Sequence, residues 1–244
     1  MTSPSRTSLA DEVTGLLGRP APRPGLPWTV AKYAQTLDGR IATVSGDSQW
    51  ISSPEERRFT HAVRAHCDGI LVGIGTVLAD DPHLTVREVP GRSPVRAILD
   101  SALRTPVTAR VLDTAAPTVI LTTENASVRR GHALREAGAQ VIRVACDRDG
   151  RTDLETGLRA LRAHGLESLM VEGGTAVLTA LLRSRFVDRV VVSLAPIIMG
   201  KGLEAVGDLG VRRLSDALRL TDLSTVRMGP DLVWAGTPDH PRPA

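Results

Sequence analysis

Short apolar runs alternate with amphipathic stretches through most of this 244-residue chain. Short runs of this kind are typical of strands in a buried sheet, whereas apolar positions every three to four residues are typical of helices. We predict strands at 28–37, 69–73, 95–99, 118–121, 140–144, 169–172 and 189–194, and helices at 54–66, 128–137, 154–164 and 175–183. The alternation predicts an α/β fold, with a mainly parallel central sheet and helices on both faces.

The two ends of the chain differ from this alternation. Residues 218–226 and 232–235 are separated by turn residues without a helix, which predicts an antiparallel strand pair at one end of the sheet. Residues 1–27 carry charges and prolines without an apolar core. We therefore expect a flexible leader at 1–27 and one domain at 28–240.

Residues 168–182 form the clearest motif, an apolar run that ends at Glu172, two glycines, and a helical stretch from Thr175. Residues without a Cβ allow a sharp backbone turn and leave the first helical N–H groups open, so Gly173 and Gly174 predict a phosphate site at the helix start. An ordinary strand-to-helix turn explains the same pattern and stays open as the alternative.

Composition excludes several classes of protein. No apolar stretch is long enough to span a membrane, and a net charge of +3 with six aromatic residues gives little basis for nucleic-acid binding. The two cysteines, Cys67 and Cys146, favour a reducing compartment, and we expect a cytoplasmic protein. The histidines are scattered and no metal site is expected. The basic excess suits small phosphorylated ligands.

Lysine is rare here, since 28 of the 30 basic residues are arginine and only Lys32 and Lys201 are lysine. This bias hints that Lys32 is kept as a compact ammonium, although a surface lysine on a strand edge is the simpler interpretation. Ser53, Pro54 and Glu56 predict a helix start in which Glu56 closes a capping box. The polar loops that follow the strands are expected to meet at one edge of the sheet.

Five blocks of the sequence, at 36–42, 45–51, 75–87, 171–175 and 195–196, carry a resemblance that covers 28–236. Together they resemble the reductase domain of bacterial riboflavin biosynthesis, which has the dihydrofolate-reductase-like fold. The resemblance implies a homodimer that uses NADPH to reduce the ribosylamino group of a pyrimidine ribosylamine 5′-phosphate to a ribitylamino group. The sequence lacks the zinc-deaminase motif that often precedes this domain, so no deaminase activity is expected and the substrate's deamination state stays open.

The same resemblance implies a set of site residues. The expected NADPH contacts are Ala34, Trp50, Thr76, Asp80, Ser101, Gly173, Gly174 and Thr175. The expected substrate contacts are Ser48, Arg64, Leu84, Arg87 and Glu172. By position at strand ends, Ser101, Thr122 and Thr123 are expected to bond the adenosine 2′-phosphate, with Arg104 matching its charge; strand-end turn chemistry is the alternative for the two threonines.

The chemistry of these side chains agrees with such roles. Arg64 and Arg87 can each grip a phosphate through parallel N–H bonds, and Ser48 can add a neutral one. A solvated helix face is the alternative for Arg64. Trp50 is expected to cover a flat ring, or else to fill the core.

Three residues are candidates for catalysis in a reduction of this kind. Lys32 is expected to donate a proton as the glycosylamine opens, Glu172 to bind a ribose hydroxyl or balance the imine charge, and Asp80 to orient the nicotinamide or act through water. The resemblance also predicts a cis peptide bond between Gly173 and Gly174. Two competing hypotheses are a relative that reduces another heterocycle and a non-catalytic NADPH-binding module.

Overall fold

The computed structural model describes residues 8–21 and 23–239. Its helices are α1 Leu9–Leu17, α2 Pro54–His66, α3 Ile74–Asp80, α4 Val128–Glu136, α5 Leu154–Ala163 and α6 Thr175–Arg183. Its strands are β1 Trp28–Thr36, β2 Arg40–Thr43, β3 Gly69–Gly73, β4 Val95–Leu99, β5 Thr118–Thr123, β6 Ala139–Val144, β7 Ser168–Val171, β8 Arg189–Ala195, β9 Gly202–Glu204, β10 Arg219–Met228 and β11 Asp231–Asp239. None of the helices in these two ranges has the length and apolar character needed to cross a bilayer.

A single large sheet organises the described part of the chain. Its strand order is β10-β11-β8-β1-β7-β3-β4-β5-β6. Pairing is parallel from β8 through β6, whereas β11 pairs antiparallel with both β8 and β10. The predicted α/β fold, with a mainly parallel sheet and a C-terminal antiparallel pair, is confirmed.

Alternate residues of each central strand face opposite layers of helices. On β3, Leu71 packs in the cluster that contains Leu158 of α5 and Leu178 of α6. Its neighbours Ile70 and Val72 pack in a second cluster, with residues of α3 and α4. Since successive strand side chains point to opposite faces, helices cover both faces of the sheet as predicted.

The N-terminal segment differs from the flexible leader that we predicted for 1–27. Residues 8–21 and 23–27 belong to the folded domain, and Val13, Leu16 and Leu17 of α1 are buried in the cluster that contains Phe59. Ser8 caps the helix, and the side chain of Asp11 completes the capping box. The amphipathic spacing of these apolar residues outweighs the prolines that follow, because it gives the helix a face that packs on the sheet. Residues 1–7 lie outside the described residues.

Helix α2 has the bounds that we predicted, but its capping differs. The hydroxyl of Ser53 accepts the N–H of Glu56 at 3.2 Å, as expected of an N-cap. The reciprocal bond that we expected from the Glu56 carboxylate is absent, because Oδ2 of Asp231 accepts the N–H of Ser53 at 2.7 Å instead. The Glu56 side chain is thereby free to point into the protein.

Candidate functional site

A cleft of about 1480 Å³ lies where strands β3, β4 and β7 end. Gly73, Leu99 and Glu172, at or next to the carboxyl ends of these strands, all line it. In a parallel sheet these ends lie at one edge, which is where ligands bind in this class of fold. Nearly all of the predicted site residues border this cleft: Lys32, Ala34, Ser48, Trp50, Arg64, Thr76, Asp80, Leu84, Arg87, Ser101, Gly173, Gly174 and Thr175 join Glu172 there.

Lys32 lies inside the sheet and not on a strand edge. It belongs to β1, which pairs with β7 on one side and β8 on the other. The residue is only 4% exposed, and its Nζ lies 2.6 Å from Oε1 of Glu56, which is 1% exposed. The alternative of a surface lysine is therefore wrong. The sequence pattern drew attention to Lys32 but gave no sign of its partner.

Arg64 and Glu172 form a two-pronged ion pair at the wall of the cleft. Nε of Arg64 donates to Oε1 of Glu172 at 2.7 Å and Nη2 donates to Oε2 at 2.6 Å. Burial alone would raise the pKa of the Glu172 carboxyl, but the charge and hydrogen bonds of Arg64 lower it below its usual value. The solvated helix face considered for Arg64 is wrong, since only 12% of its side chain is exposed.

The two arginines expected to hold phosphate differ in their partners. The parallel donor pair of Arg64 is used on Glu172, and its Nη1 donates to the carbonyl of Thr85 at 3.1 Å. Arg87 instead donates from Nη1 to the hydroxyl of Thr85 at 2.9 Å. Burial and the positive charge of Arg64 lower the pKa of Arg87, which an added anion would offset. Arg87 is thus the better-placed cation for an incoming phosphate.

His61 is a cleft residue that our sequence reasoning set aside. Its Nδ1 accepts the backbone N–H of Arg87 at 3.0 Å, which places the ring proton on Nε2 in the neutral form. Burial, followed by the charge of Arg64, lowers the pKa of His61 to about 4. The spacing of His61 and Arg64 on one helix face was the available signal.

The strand-to-helix turn of the glycine pair opens into the cleft. Gly174 is the N-cap of α6 in an extended conformation, and no side chain caps the helix. A Cβ at Gly173 would lie 2.7 Å from the Cβ of Val177, whereas a Cβ at Gly174 would meet nothing nearer than the Thr76 hydroxyl at 3.9 Å. The open N–H groups and the free space over Gly174 fit a diphosphate group.

The peptide bond between Gly173 and Gly174 is trans, so the predicted cis bond is wrong. In the described ranges the cis bond joins Gln49 and Trp50. The missing Cβ at Gly173 already lets the first turn of α6, at Val177, approach the end of β7. A trans bond also avoids the cost of about 2.5 to 4 kcal/mol of a cis bond between non-proline residues.

Thr122 does not reach the cleft, which corrects our assignment of it as a cofactor contact. It is fully buried and its hydroxyl donates to the carbonyl of Ser101 at 3.1 Å, as that of Thr123 does at 3.0 Å. These threonines are strand-end residues that hold Ser101 in place. The Ser101 hydroxyl accepts the N–H of Thr152 at 2.9 Å, which adds Thr152 and the neighbouring Arg151 to the cleft wall. The polar run after β6 was the sequence signal for this loop.

The remaining predicted contacts occupy the rim of the cleft and a buried position behind it. Trp50 is 65% exposed and does not fill the core; the guanidinium of Arg57 lies 4.7 Å from the centre of its ring. Leu84 is buried and has a positive φ of 54°. Desolvation raises the pKa of Asp80, at the end of α3.

The described residues contain no cluster of three or more His, Cys, Asp or Glu side chains that could hold a metal ion. The cleft instead brings together an uncapped helix N-terminus, the Lys32–Glu56 pair and the Arg64–Glu172 pair. A parallel sheet with this arrangement beyond its carboxyl ends defines an α/β enzyme of the nucleotide-binding class.

The chain belongs to the RibD C-terminal domain family, whose model matches residues 27–234. It is 44% identical over 213 residues to the 2,5-diamino-6-ribosylamino-4(3H)-pyrimidinone 5′-phosphate reductase of Methanothermobacter thermautotrophicus, covering 85% of this chain and 96% of that protein. It is also 43% identical over 209 residues to the riboflavin biosynthesis protein RibD of Aquifex aeolicus, with 85% of this chain covered. Here it spans only about half of the relative, 56% of its length.

Two solved structures support the same family assignment. RibD of Acinetobacter baumannii superposes with a TM-score of 0.76 at 26% identity, over 88% of this chain and 59% of that one. The riboflavin biosynthesis reductase Rib7 of yeast superposes with a TM-score of 0.70 at 25% identity, over 90% of this chain and 93% of that one. The fold class expected from the sequence resemblance, that of the riboflavin reductase domain, is confirmed.

Proposed function

We propose that this chain is an NADPH-dependent reductase of riboflavin biosynthesis, which reduces a pyrimidine ribosylamine 5′-phosphate to the ribitylamino compound. The chain is an oxidoreductase of the RibD reductase family, and a relative that it covers almost completely is named for this reduction. The observation that carries the proposal is the convergence of Lys32, Glu172 and Arg87 on one cleft with the open N-terminus of α6.

The cofactor's diphosphate is assigned to the N-terminus of α6, where Gly174 leaves space and Thr76 supplies a hydroxyl. Ser101 and Arg104, which also line the cleft, are assigned to the adenosine 2′-phosphate. When bound, NADPH supplies the hydride for the reduction. The site residues hold donor and acceptor close together, which is the main requirement of hydride transfer.

The substrate is assigned to the part of the cleft lined by Arg87, Ser48 and Glu172. Arg87 binds the 5′-phosphate with help from the Ser48 hydroxyl, while Glu172, oriented by Arg64, accepts a hydrogen bond from a ribose hydroxyl. Lys32 donates a proton to the ribose ring oxygen as the bond between that oxygen and the anomeric carbon breaks. The anomeric carbon then accepts the hydride, and Lys32 regains its proton from water.

We also assign this enzyme to the cytoplasm and to a homodimer. The cysteines Cys67 and Cys146 are both free, which suits a reducing compartment. Leu37, Ile197 and Ile198 expose apolar side chains, and the N–H of Leu37 bonds the carbonyl of Ile197, so the three lie together. Such a patch favours a protein contact, and light scattering of the purified chain gives its mass in solution.

The decisive experiment incubates the purified chain with NADPH and either the 2,5-diamino or the deaminated pyrimidine ribosylamine 5′-phosphate. Mass spectrometry should show a product two mass units heavier, formed as NADPH absorbance falls. A gain with one compound identifies the substrate. If neither compound is reduced, the proposal is wrong, and reduction of another heterocycle or a purely binding role is favoured.

Cofactor preference is a separate measurement. Because Arg104 and Ser101 line the cleft and are assigned to the adenosine 2′-phosphate, we expect a higher kcat/KM with NADPH than with NADH. Arg104→Ala should lower the ratio of kcat/KM with NADPH to that with NADH about tenfold, because one charge-assisted hydrogen bond to the 2′-phosphate is lost. Arg129→Ala, an exposed change on α4, is the matched control and should leave the preference intact. Equal efficiency with both nucleotides in the unmodified chain would refute the assignment.

A further inference from the structure

Glu56 is a buried carboxylate that the described reduction does not use directly. It is the third residue of α2, and it leaves the helix cap because Asp231 accepts the N–H of Ser53. Its side chain borders the cleft next to Lys32. Glu56 therefore does not cap the helix, and its carboxylate is available to interact with Lys32.

One oxygen of Glu56 holds three donors from three parts of the fold. Oε1 lies 2.6 Å from Nζ of Lys32 on β1, accepts the hydroxyl of Ser193 on β8 at 2.7 Å, and accepts that of Thr60 on α2 at 2.9 Å. Three donors on one atom fix the rotamer of the carboxylate. The ammonium of Lys32 is thereby held at one point of the cleft wall.

The Glu56 carboxylate remains ionised despite its burial. Burial would raise the pKa of Glu56, but the charge and hydrogen bond of Lys32, with hydroxyls of Ser52 and Ser193, lower it to about 2. A buried ion pair is a weak source of stability, because desolvation of both charges offsets their attraction, and apolar residues of similar size often do as well. Stability alone is therefore a poor reason for this pair.

Lys32 also interacts with the second carboxylate of the site, that of Glu172. After the larger effect of Arg64, the charge of Lys32 contributes to the lowered pKa of Glu172, so the two groups are within electrostatic reach of each other. Without an anion behind it, Lys32 would be drawn to Glu172 and compete there with Arg64. Such a shift would pair Lys32, the proton donor, with Glu172, the ribose-binding carboxylate, and neither would then be free for the substrate.

We propose that Glu56 is a positioning residue of this site, which holds the Lys32 ammonium where it delivers its proton, an inference that rests on the proposed function. Its role is in the chemical step and not in binding. Removing its charge should lower kcat much more than it changes the KM for the pyrimidine or the Kd for NADPH.

The first test compares Glu56→Gln with Asp231→Asn. The second variant removes the charge of another buried carboxylate at the same helix start, at a residue that does not line the cleft, and keeps an oxygen that can accept the N–H of Ser53. Glu56→Gln should lower kcat about 10- to 100-fold with KM and the fluorescence-measured Kd for NADPH changed less than about threefold. Asp231→Asn should lower the Tm without this loss of kcat. Equal kcat losses in the two variants, or an unchanged kcat in Glu56→Gln, would overturn the proposal.

The second test is a double-mutant cycle with Lys32→Met. If Glu56 acts through Lys32, then Lys32→Met/Glu56→Gln should be no slower than Lys32→Met alone, because the effects of residues that act as a unit do not add. A further loss of the same size as in the single variant would contradict the proposal. Replacing the pair together also keeps the test usable if Glu56→Gln alone fails to fold.

The conservative change Glu56→Asp retains a carboxylate on a shorter side chain, and its kcat should lie between those of the original chain and Glu56→Gln. A Glu56→Asp variant as slow as Glu56→Gln at equal Tm would count against a role of the charge. Failure of the proposed function looks different, since the unmodified chain would then reduce neither pyrimidine, and this inference would fall with it. Turnover in the unmodified chain with unaffected Glu56 variants would overturn this inference alone.

Discussion

Arg64 and Glu172 meet through two parallel hydrogen bonds of 2.7 and 2.6 Å, which join α2 to the end of β7. The guanidinium of Arg64, which we expected to bind phosphate, instead orients the carboxylate of Glu172. Arg64 is thus engaged by Glu172, and Arg87 is the cation that we assign to the phosphate.

Removal of Arg64 should therefore affect folding as well as substrate binding. Arg64→Ala leaves Glu172 without its partner, and breaking a buried pair costs about 3 to 5 kcal/mol of unfolding free energy. Urea denaturation measures the change. Arg64→Lys should retain the charge but lose the second parallel bond, with a smaller loss. If Arg64→Ala unfolds at the same urea concentration as the original chain, the pair has no structural role.

Arg87 should behave as a binding residue without a large effect on stability. Arg87→Ala should raise the KM for the pyrimidine phosphate about 10- to 100-fold, since a hydrogen bond to a charged group contributes about 1.5 to 3 kcal/mol. The Kd for NADPH should change little. Steady-state kinetics and fluorescence quenching separate the two effects. An unchanged KM would show that the phosphate lies elsewhere.

The two glycines of the turn should respond differently to substitution. Gly173→Ala places a Cβ 2.7 Å from that of Val177, so it should destabilise the fold by about 1 to 3 kcal/mol. Gly174 has an extended backbone and open space around it, so the Tm of Gly174→Val should stay close to that of the original chain. The new side chain fills the space that we assign to the diphosphate, so NADPH binding should weaken about 10- to 100-fold. Tight NADPH binding by Gly174→Val would show that the glycine pair forms an ordinary strand-to-helix turn and not a diphosphate site.

His61 should make stability depend on pH in a predictable direction. Its pKa in the folded state is lowered from 6.5 to about 4, so between these values the unfolded chain binds a proton that the folded chain does not. Stability should therefore fall as the pH is lowered from 6.5 to 4, by up to about 3 kcal/mol from this residue. Denaturation at several pH values compares the chain with His61→Gln. Identical slopes in the two would exclude His61 as the source.

The N-terminal helix should be a stabilising part of the domain. Leu16→Ala removes a buried side chain from the cluster beneath α1 and should cost about 2 to 5 kcal/mol. Val128→Ala, on the exposed side of α4, is the control and should change stability by less than about 0.5 kcal/mol. Thermal unfolding of both variants decides the point: similar Tm values would restore our original view of this segment as a leader.

The sequence by itself determined the regular elements and the edge at which the cleft lies. Helix α2 and strand β3 have the bounds that their patterns predict, because caps, apolar periodicity and turn residues act between near neighbours. Helices α1 and α3 are exceptions. The prolines and charges of 1–27 predict a leader and not α1, and Gly75 weakens the helical pattern of α3, where we predict no helix.

Only the tertiary structure decided which charges meet. Lys32 and Glu56 are both visible in the sequence, yet their pairing depends on β1 and α2 packing together, and Arg64 finds Glu172 across 108 positions of the chain. Likewise Thr122 carries the same hydroxyl whether it faces a ligand or the carbonyl of Ser101. The free energy of a buried polar group depends on the groups that surround it after folding, so a local sequence pattern cannot predict its partner.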